Sequence, residues 1–137
     1  MIEIGAVREE AIDVDDRVAI KFLGAEGTRV LSTPQMIGHM EMVSRNLLLG
    51  MLEPGKDSVG TIVNVKHLGA APMGTKVTFR STLVSVDGRR ATFEVEAFDS
   101  QEKIGEGIHE RFIITVANFA EKMKAKFAAS GQSEPKA

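Results

Sequence analysis

The 137-residue chain contains no cysteine. Disulfides, thiolate zinc sites and a cysteine nucleophile are thereby excluded, and a reducing compartment is the compatible setting. Long apolar runs are missing too: nothing approaches the roughly 20 residues that span a bilayer. Met1-Ile2-Glu3-Ile4 leads into Arg8-Glu9-Glu10 with no apolar core of signal-peptide length, so a cytoplasmic protein without membrane association is expected. An excess of one charge is also lacking. The formal net charge of -2, with both signs mixed along the chain, offers no broad positive field and makes nucleic acid a poor partner. No GxGxxG, P-loop, HExxH or GxSxG motif occurs, which leaves nucleotide phosphate transfer and serine-hydrolase chemistry without support. The histidines lack the short paired spacing of common zinc motifs, so neither a metal nor a cofactor is expected.

What remains is long enough for one domain with its own core. The domain is expected over residues 1–129, with 130–137 a flexible polar tail. Ala6 to Val14 and Arg17 to Phe22 read as weak strand candidates. From Thr33 to about Met51 the period becomes helical, with Met36, Ile37, Met40, Ser44, Leu47, Leu48 and Met51 at three- and four-residue spacings. Either Thr33 is the N-cap with Pro34 at the first helical position, or Ser32 is the cap and Gln35 closes a capping box. Gly38 inside this helix suggests a close approach.

The period then changes to two. Val59, Thr61, Val63, Val65 and His67 are expected on one face of a strand, and Val77, Phe79, Ser81 and Leu83 on a face of the next. Asp87-Gly88 signals a hairpin into a strand through Ala91, Phe93, Val95 and Ala97. A last strand covers roughly Lys103 to Val116, where imperfect alternation points to a bulge at Gly105 or Gly107, and a terminal helix covers Asn118 to Ala128. This order predicts an α+β domain with a curved antiparallel sheet against one long helix. One helix cannot cover a wide sheet, so a homodimer is the default.

Three polar residues stand in apolar settings: Thr33, Glu41 and His67. A hydroxyl, a carboxylate and an imidazole can together activate water against an acyl carbonyl, and each is costly to bury unpartnered. At about 100° per residue, Thr33, Ile37, Glu41 and Leu48 fall in one stripe of the helix. Each residue also has a plainer reading. Thr33 can be a simple cap, Glu41 an edge carboxylate paired with Arg45 at i+4, and His67 a hydrogen-bonded core residue. His39 falls on the far side of the helix, at solvent or an interface, and the facing of His109 stays open.

The blocks Val30-Leu31-Ser32-Thr33-Pro34-Gln35-Met36-Ile37 with Met40-Glu41, Ser58-Val59-Gly60-Thr61 with Val65-Lys66-His67-Leu68, Asp87-Gly88-Arg89-Arg90, and Ile104-Gly105-Glu106-Gly107-Ile108-His109-Glu110-Arg111 occur in order. Together they resemble the fluoroacetyl-CoA thioesterase-like family of hot dog proteins. The resemblance implies a hot dog fold, a homodimer and hydrolysis of a small or medium acyl-CoA thioester near the dimer interface. By motif it implies Thr33, Glu41 and His67 as the catalytic set and Gly60 beside the acyl group. His109 and Arg111 match a motif and are expected at the substrate, without a defined catalytic role. The segment Phe22 to Arg29 departs from the family's aromatic lid, and Gly69-Ala70-Ala71-Pro72 lacks a threonine before proline, so fluorine selectivity is not implied. Competing readings are a non-catalytic acyl-CoA or acyl-carrier binding dimer, an enoyl-CoA hydratase and a purely structural dimer.

Overall fold

The computed structural model describes residues 1–133. Five strands form one antiparallel sheet: β1 (Val7–Asp13), β2 (Lys56–His67), β3 (Lys76–Asp87), β4 (Arg90–Phe98) and β5 (Lys103–Thr115), in the order β1-β3-β4-β5-β2. A 17-residue helix, α1 (Thr33–Leu49), lies against one face, and α2 (Val116–Ser130) follows β5. The expected α+β class with an antiparallel sheet is therefore observed. Of the tail expected over 130–137, residues 134–137 lie outside the described residues.

The core is the layer between α1 and the sheet. Met36, Met40, Val43 and Leu48 from α1 meet Val77, Phe79 and Leu83 of β3 and Ala91, Phe93, Val95 and Ala97 of β4, all essentially inaccessible. Each fully buried aliphatic or phenyl side chain stabilises this layer by about 1.5–3 kcal/mol. Ser44, the polar member of the helical stripe, is satisfied by donating to the Met40 carbonyl while its Oγ meets Ser81 Oγ at 2.8 Å. His39, expected on the far side, instead stacks on Phe79 with ring centroids 5.3 Å apart.

Local sequence accounts for the helix start. Ser32 is the cap: its Oγ accepts the Gln35 N–H at 3.3 Å and Pro34 occupies the first turn, where no N–H is needed. The reciprocal arm of a capping box is absent, because the Ser32 N–H is already donated to the Val18 carbonyl. Arg17 to Phe22 forms no strand; it is a turn whose pairing is limited to an isolated bridge between Ala19 and Leu31. A position expected to need glycine also differs, since a Cβ on Gly38 would meet nothing within 4 Å.

The facing of β2 needs one correction. A bulge stands beside Gly105 in β5 as expected, where the pairing with β4 shifts between Ala97 and Phe98 and passes over Ile104; a second, not expected, stands in β2, where the pairing with β5 shifts between Gly60 and Ile62. The extra residue reverses side-chain alternation. Ser58 and Gly60 consequently share the helix side with Val65 and His67, whereas Val59, opposite Phe112, turns to the outer face. On β5 the residues Gly105, Gly107, His109 and Arg111 all take the helix side.

At Gly107, β5 leaves no room for a side chain against β2. A Cβ there would collide with the Asn64 carbonyl oxygen and come within 2.5 Å of Val65 Cα, both backbone atoms with little room to yield. Gly107→Ala is expected to lower unfolding free energy by about 1–3 kcal/mol, the cost of overpacking. Urea titration checks this, and an unchanged midpoint would show that β2 adapts freely.

Candidate active site

One flank of α1 runs along β2. Residues 33, 37, 41 and 45 form an i, i+4 line, and its polar members each find a counterpart on that side of the molecule. Thr33 Oγ1 lies 2.8 Å from His67 Nδ1 at the end of β2. Because Ser32 serves as cap, the Thr33 hydroxyl is free for this bond. Arg45 makes a two-pronged pair with Asp57, from Nε at 3.0 Å and Nη2 at 2.6 Å. The i+4 pairing of Arg45 with Glu41 is therefore not formed. The guanidinium beside Asp57 holds its carboxyl below the usual range.

Glu41, relieved of Arg45, turns toward the bulge. Its Oε2 lies 3.4 Å from the point where a Cβ of Gly60 would stand, and His109 Cε1 and Arg111 Nη1 lie 3.2 and 3.6 Å from the same point. The missing side chain of Gly60 thus leaves a space bordered by a carboxylate, an imidazole edge and a guanidinium. Any other residue would fill it.

Beneath that space Arg111 is 5% exposed and His109 1%. Arg111 donates from Nε to Ser58 Oγ at 2.7 Å and from Nη2 to the Ser58 carbonyl at 2.8 Å. His109 Nδ1 lies 2.8 Å from the Ile62 carbonyl oxygen, and its Nε2 lies 3.1 Å from Arg111 Nη1. Burial is the main cause that lowers the His109 pKa; Arg111 adds to it, and Ile62, Glu41 and Glu110 oppose it. Burial likewise lowers Arg111, while Glu41 and Asp57 act the other way.

His67 is half-buried, and desolvation lowers its pKa from the ordinary 6.5, opposed by the nearby Gly69 backbone. Its Nε2 is buried and has no hydrogen-bond partner among the described residues. An orphaned ring nitrogen is costly unless something else completes it. A cleft of about 440 Å³ adjoins this end, lined by Ile20, Phe22, Val30, Leu31, Thr33 and His67 among others. Phe22 is 81% exposed at its rim.

The six expected site residues thus collect into two clusters on one flank: Thr33 with His67, and Glu41 with Gly60, His109 and Arg111. Two helical turns separate them, about 12 Å at 1.5 Å per residue. Ser58, Asp57 and the Ile62 carbonyl complete the second cluster and were not singled out from sequence as site residues. Ser58 was within reach because it precedes Gly60 in the same motif block.

Residues 14–117 match the family model of the fluoroacetyl-CoA-specific thioesterase, FlK. The fluoroacetyl-CoA thioesterase of Streptantibioticus cattleyicolor is 40% identical over 105 residues, which are 77% of this chain and 76% of that protein. A solved structure of the fluoroacetyl-CoA thioesterase FlK superposes with a TM-score of 0.82 at 32% identity, covering 92% of this chain and 98% of the other. A hot-dog-like protein from Thermanaerovibrio acidaminovorans shares the fold alone, at 23% identity and a TM-score of 0.83 over 90% and 92% of the two chains. These likenesses define a thioester hydrolase. Within that class, the chain belongs to the fluoroacetyl-CoA-specific thioesterase family.

Proposed function

We propose that the protein hydrolyses small or medium acyl-CoA thioesters as a homodimer in which each site draws on both protomers. The observation that carries this reading is Glu41: it turns from Arg45 onto the space above Gly60. Its carboxylate acts as the base for water or as the nucleophile. The net reaction adds water across the thioester, breaks the C–S bond and releases acid and CoA thiol. Thiolate is a fair leaving group, so positioning and charge stabilisation carry most of the catalysis. Thr33 and His67 orient water and relay its proton, and a backbone N–H near Gly60 holds the carbonyl oxygen. The apolar cleft beside Thr33 accommodates the acyl group.

The two sheet edges support the dimer. β1 carries Arg8, Glu9 and Glu10, charges that discourage strand addition. β2 presents Thr61-Ile62-Val63-Asn64, uncharged and exposed, with Ile62 at 49% and Val63 at 40%. Antiparallel pairing of two β2 edges about the centre of that segment sets Gly60 opposite the partner's Val65. Glu41 of one protomer then approaches the partner's His67 and Thr33, which joins the two clusters that one chain keeps apart. It also supplies the setting for His67 Nε2.

A panel of acyl-CoA esters with thiol detection tests the reading, and absence of turnover above background across the panel sinks it. The pH profile gives a second check. Because burial holds His67 below its ordinary 6.5, the imidazole is neutral near pH 7 and able to accept a proton. We therefore expect kcat/KM to be level around neutrality and to fall only as pH drops below the ordinary histidine range. His67→Asn should remove that acid limb along with most activity; an unchanged limb would assign the titration elsewhere.

A further inference from the structure

His109 lies outside the proposed triad, yet it is among the most buried polar side chains in the molecule. Its protonation state is dictated by its partners. The Ile62 carbonyl can only accept, so Nδ1 carries the hydrogen; a guanidinium can only donate, so Nε2 carries the lone pair. The ring is packed against Phe93, centroids 6.2 Å apart. Charged groups face it as Glu41 from α1 and Arg111 and Glu110 from β5, while β2 contributes the neutral Ile62 carbonyl.

Both bonds of this imidazole bear on the space above Gly60. The first ties His109 to the carbonyl of the residue that closes the bulge. The second holds Arg111 Nη1, while Ser58 takes Nε and Nη2. One hydrogen of Nη1 is thereby occupied by His109. The planar guanidinium leaves the other no choice of direction, and Nη1 is 3.6 Å from the point that a Gly60 Cβ would occupy.

We infer that His109 is a positioning residue: locked as the Nδ1-protonated neutral tautomer, it aims the remaining Nη1 hydrogen of Arg111 into the space above Gly60, alongside the Glu41 carboxylate. It touches no reacting atom and takes up no proton during turnover. The inference rests on the reading of Glu41 as the reacting carboxylate.

Two substitutions separate its bonds. Gln places an amide oxygen near the Nε2 position and keeps an acceptor for Arg111; Asn places an amide N–H near Nδ1 and keeps only the bond to Ile62. His109→Asn is expected to lower kcat about 10- to 100-fold through misaimed Arg111, with KM within about threefold. His109→Gln should restore kcat to within about fivefold of wild type and keep the wild-type acid limb. Equal kcat for the two variants, or loss of the acid limb in His109→Gln, overturns the proposal. Should either variant fail to fold, 15N chemical shifts of the wild-type ring decide: one neutral Nδ1–H tautomer from about one pH unit below to about two above the ordinary histidine value supports it, and protonation within that range overturns it. Full activity in Glu41→Gln would instead remove the underlying reading, whatever the His109 variants do.

Discussion

Glu41→Gln is expected to lower kcat/KM for the best acyl-CoA substrate by about 10²- to 10⁴-fold, the range contributed by a positioned acid or base. The substitution keeps the volume and removes only the charge. No direct pair relies on that charge: Arg45 is held by Asp57, no hydrogen bond or ion pair of Glu41 is formed among the described residues, and the buried Arg111 that it attracts is also held by hydrogen bonds with Ser58 and His109. The melting temperature should accordingly stay within about 4 °C of wild type, so that activity and stability separate cleanly. Steady-state kinetics with thiol detection, beside a thermal melt, measure both. A variant that turns over at the wild-type rate defeats the mechanism. One that loses activity only by melting would show that Glu41 is structural.

The same comparison explains why Glu41 was the uncertain residue in the sequence. The i+4 rule sees one helix, and on that helix Arg45 is a suitable partner for Glu41. Asp57 lies twelve residues further on, across a turn and a strand start, so only tertiary structure shows that it takes the guanidinium. The α1 stripe was readable because burial follows the 3.6-residue period, and β3 and β4 because theirs follows two. β2 was misread at one point. A single extra residue after Gly60 puts the two halves of β2 out of phase, and the alternation of Val59, Thr61, Val63 and Val65 runs through it without a break. His67 nonetheless reached the helix side as expected, since the reversal moved Val59 outward and left Val65 and His67 inward.

β5 shows the complementary difficulty. Between the buried Ile104 and Ile113, its helix-side residues are Gly105, Gly107, His109 and Arg111, two without side chains and two polar, while Ile108 and Phe112 turn outward. A hydrophobic alternation therefore points the wrong way. The inward glycines make room for α1 and β2: a Cβ on Gly105 would stand 2.6 Å from Met36 Sδ. The inward histidine and arginine are tolerable because their hydrogen bonds to Ser58, Ile62 and each other replace water. Motif resemblance located these residues where periodicity could not.

Mixing two inactive dimers should restore activity. In the proposed arrangement a site takes Thr33 and His67 from one protomer and Glu41 from the other. A heterodimer of Glu41→Gln and His67→Ala chains then contains one site with both lesions and one with neither. Its expected activity is about half that of wild type, and a randomised mixture in which half the dimers are mixed should recover about a quarter. If each site were built within a single chain, every site in the heterodimer would carry one lesion and the mixture would stay as inactive as its parents. Differently tagged chains, co-expressed and purified through both tags, give the heterodimer directly, and thiol release against the parent homodimers reads the result. The predicted gain is at least tenfold above either parent, given the loss expected from each lesion alone. It arises from Glu41 and His67, whose clusters lie on one flank yet are set apart by the roughly 12 Å of helical rise between Thr33 and Glu41. That separation is kept within a single chain, and the proposed two-fold pairing of β2 edges is what would bring the two clusters together.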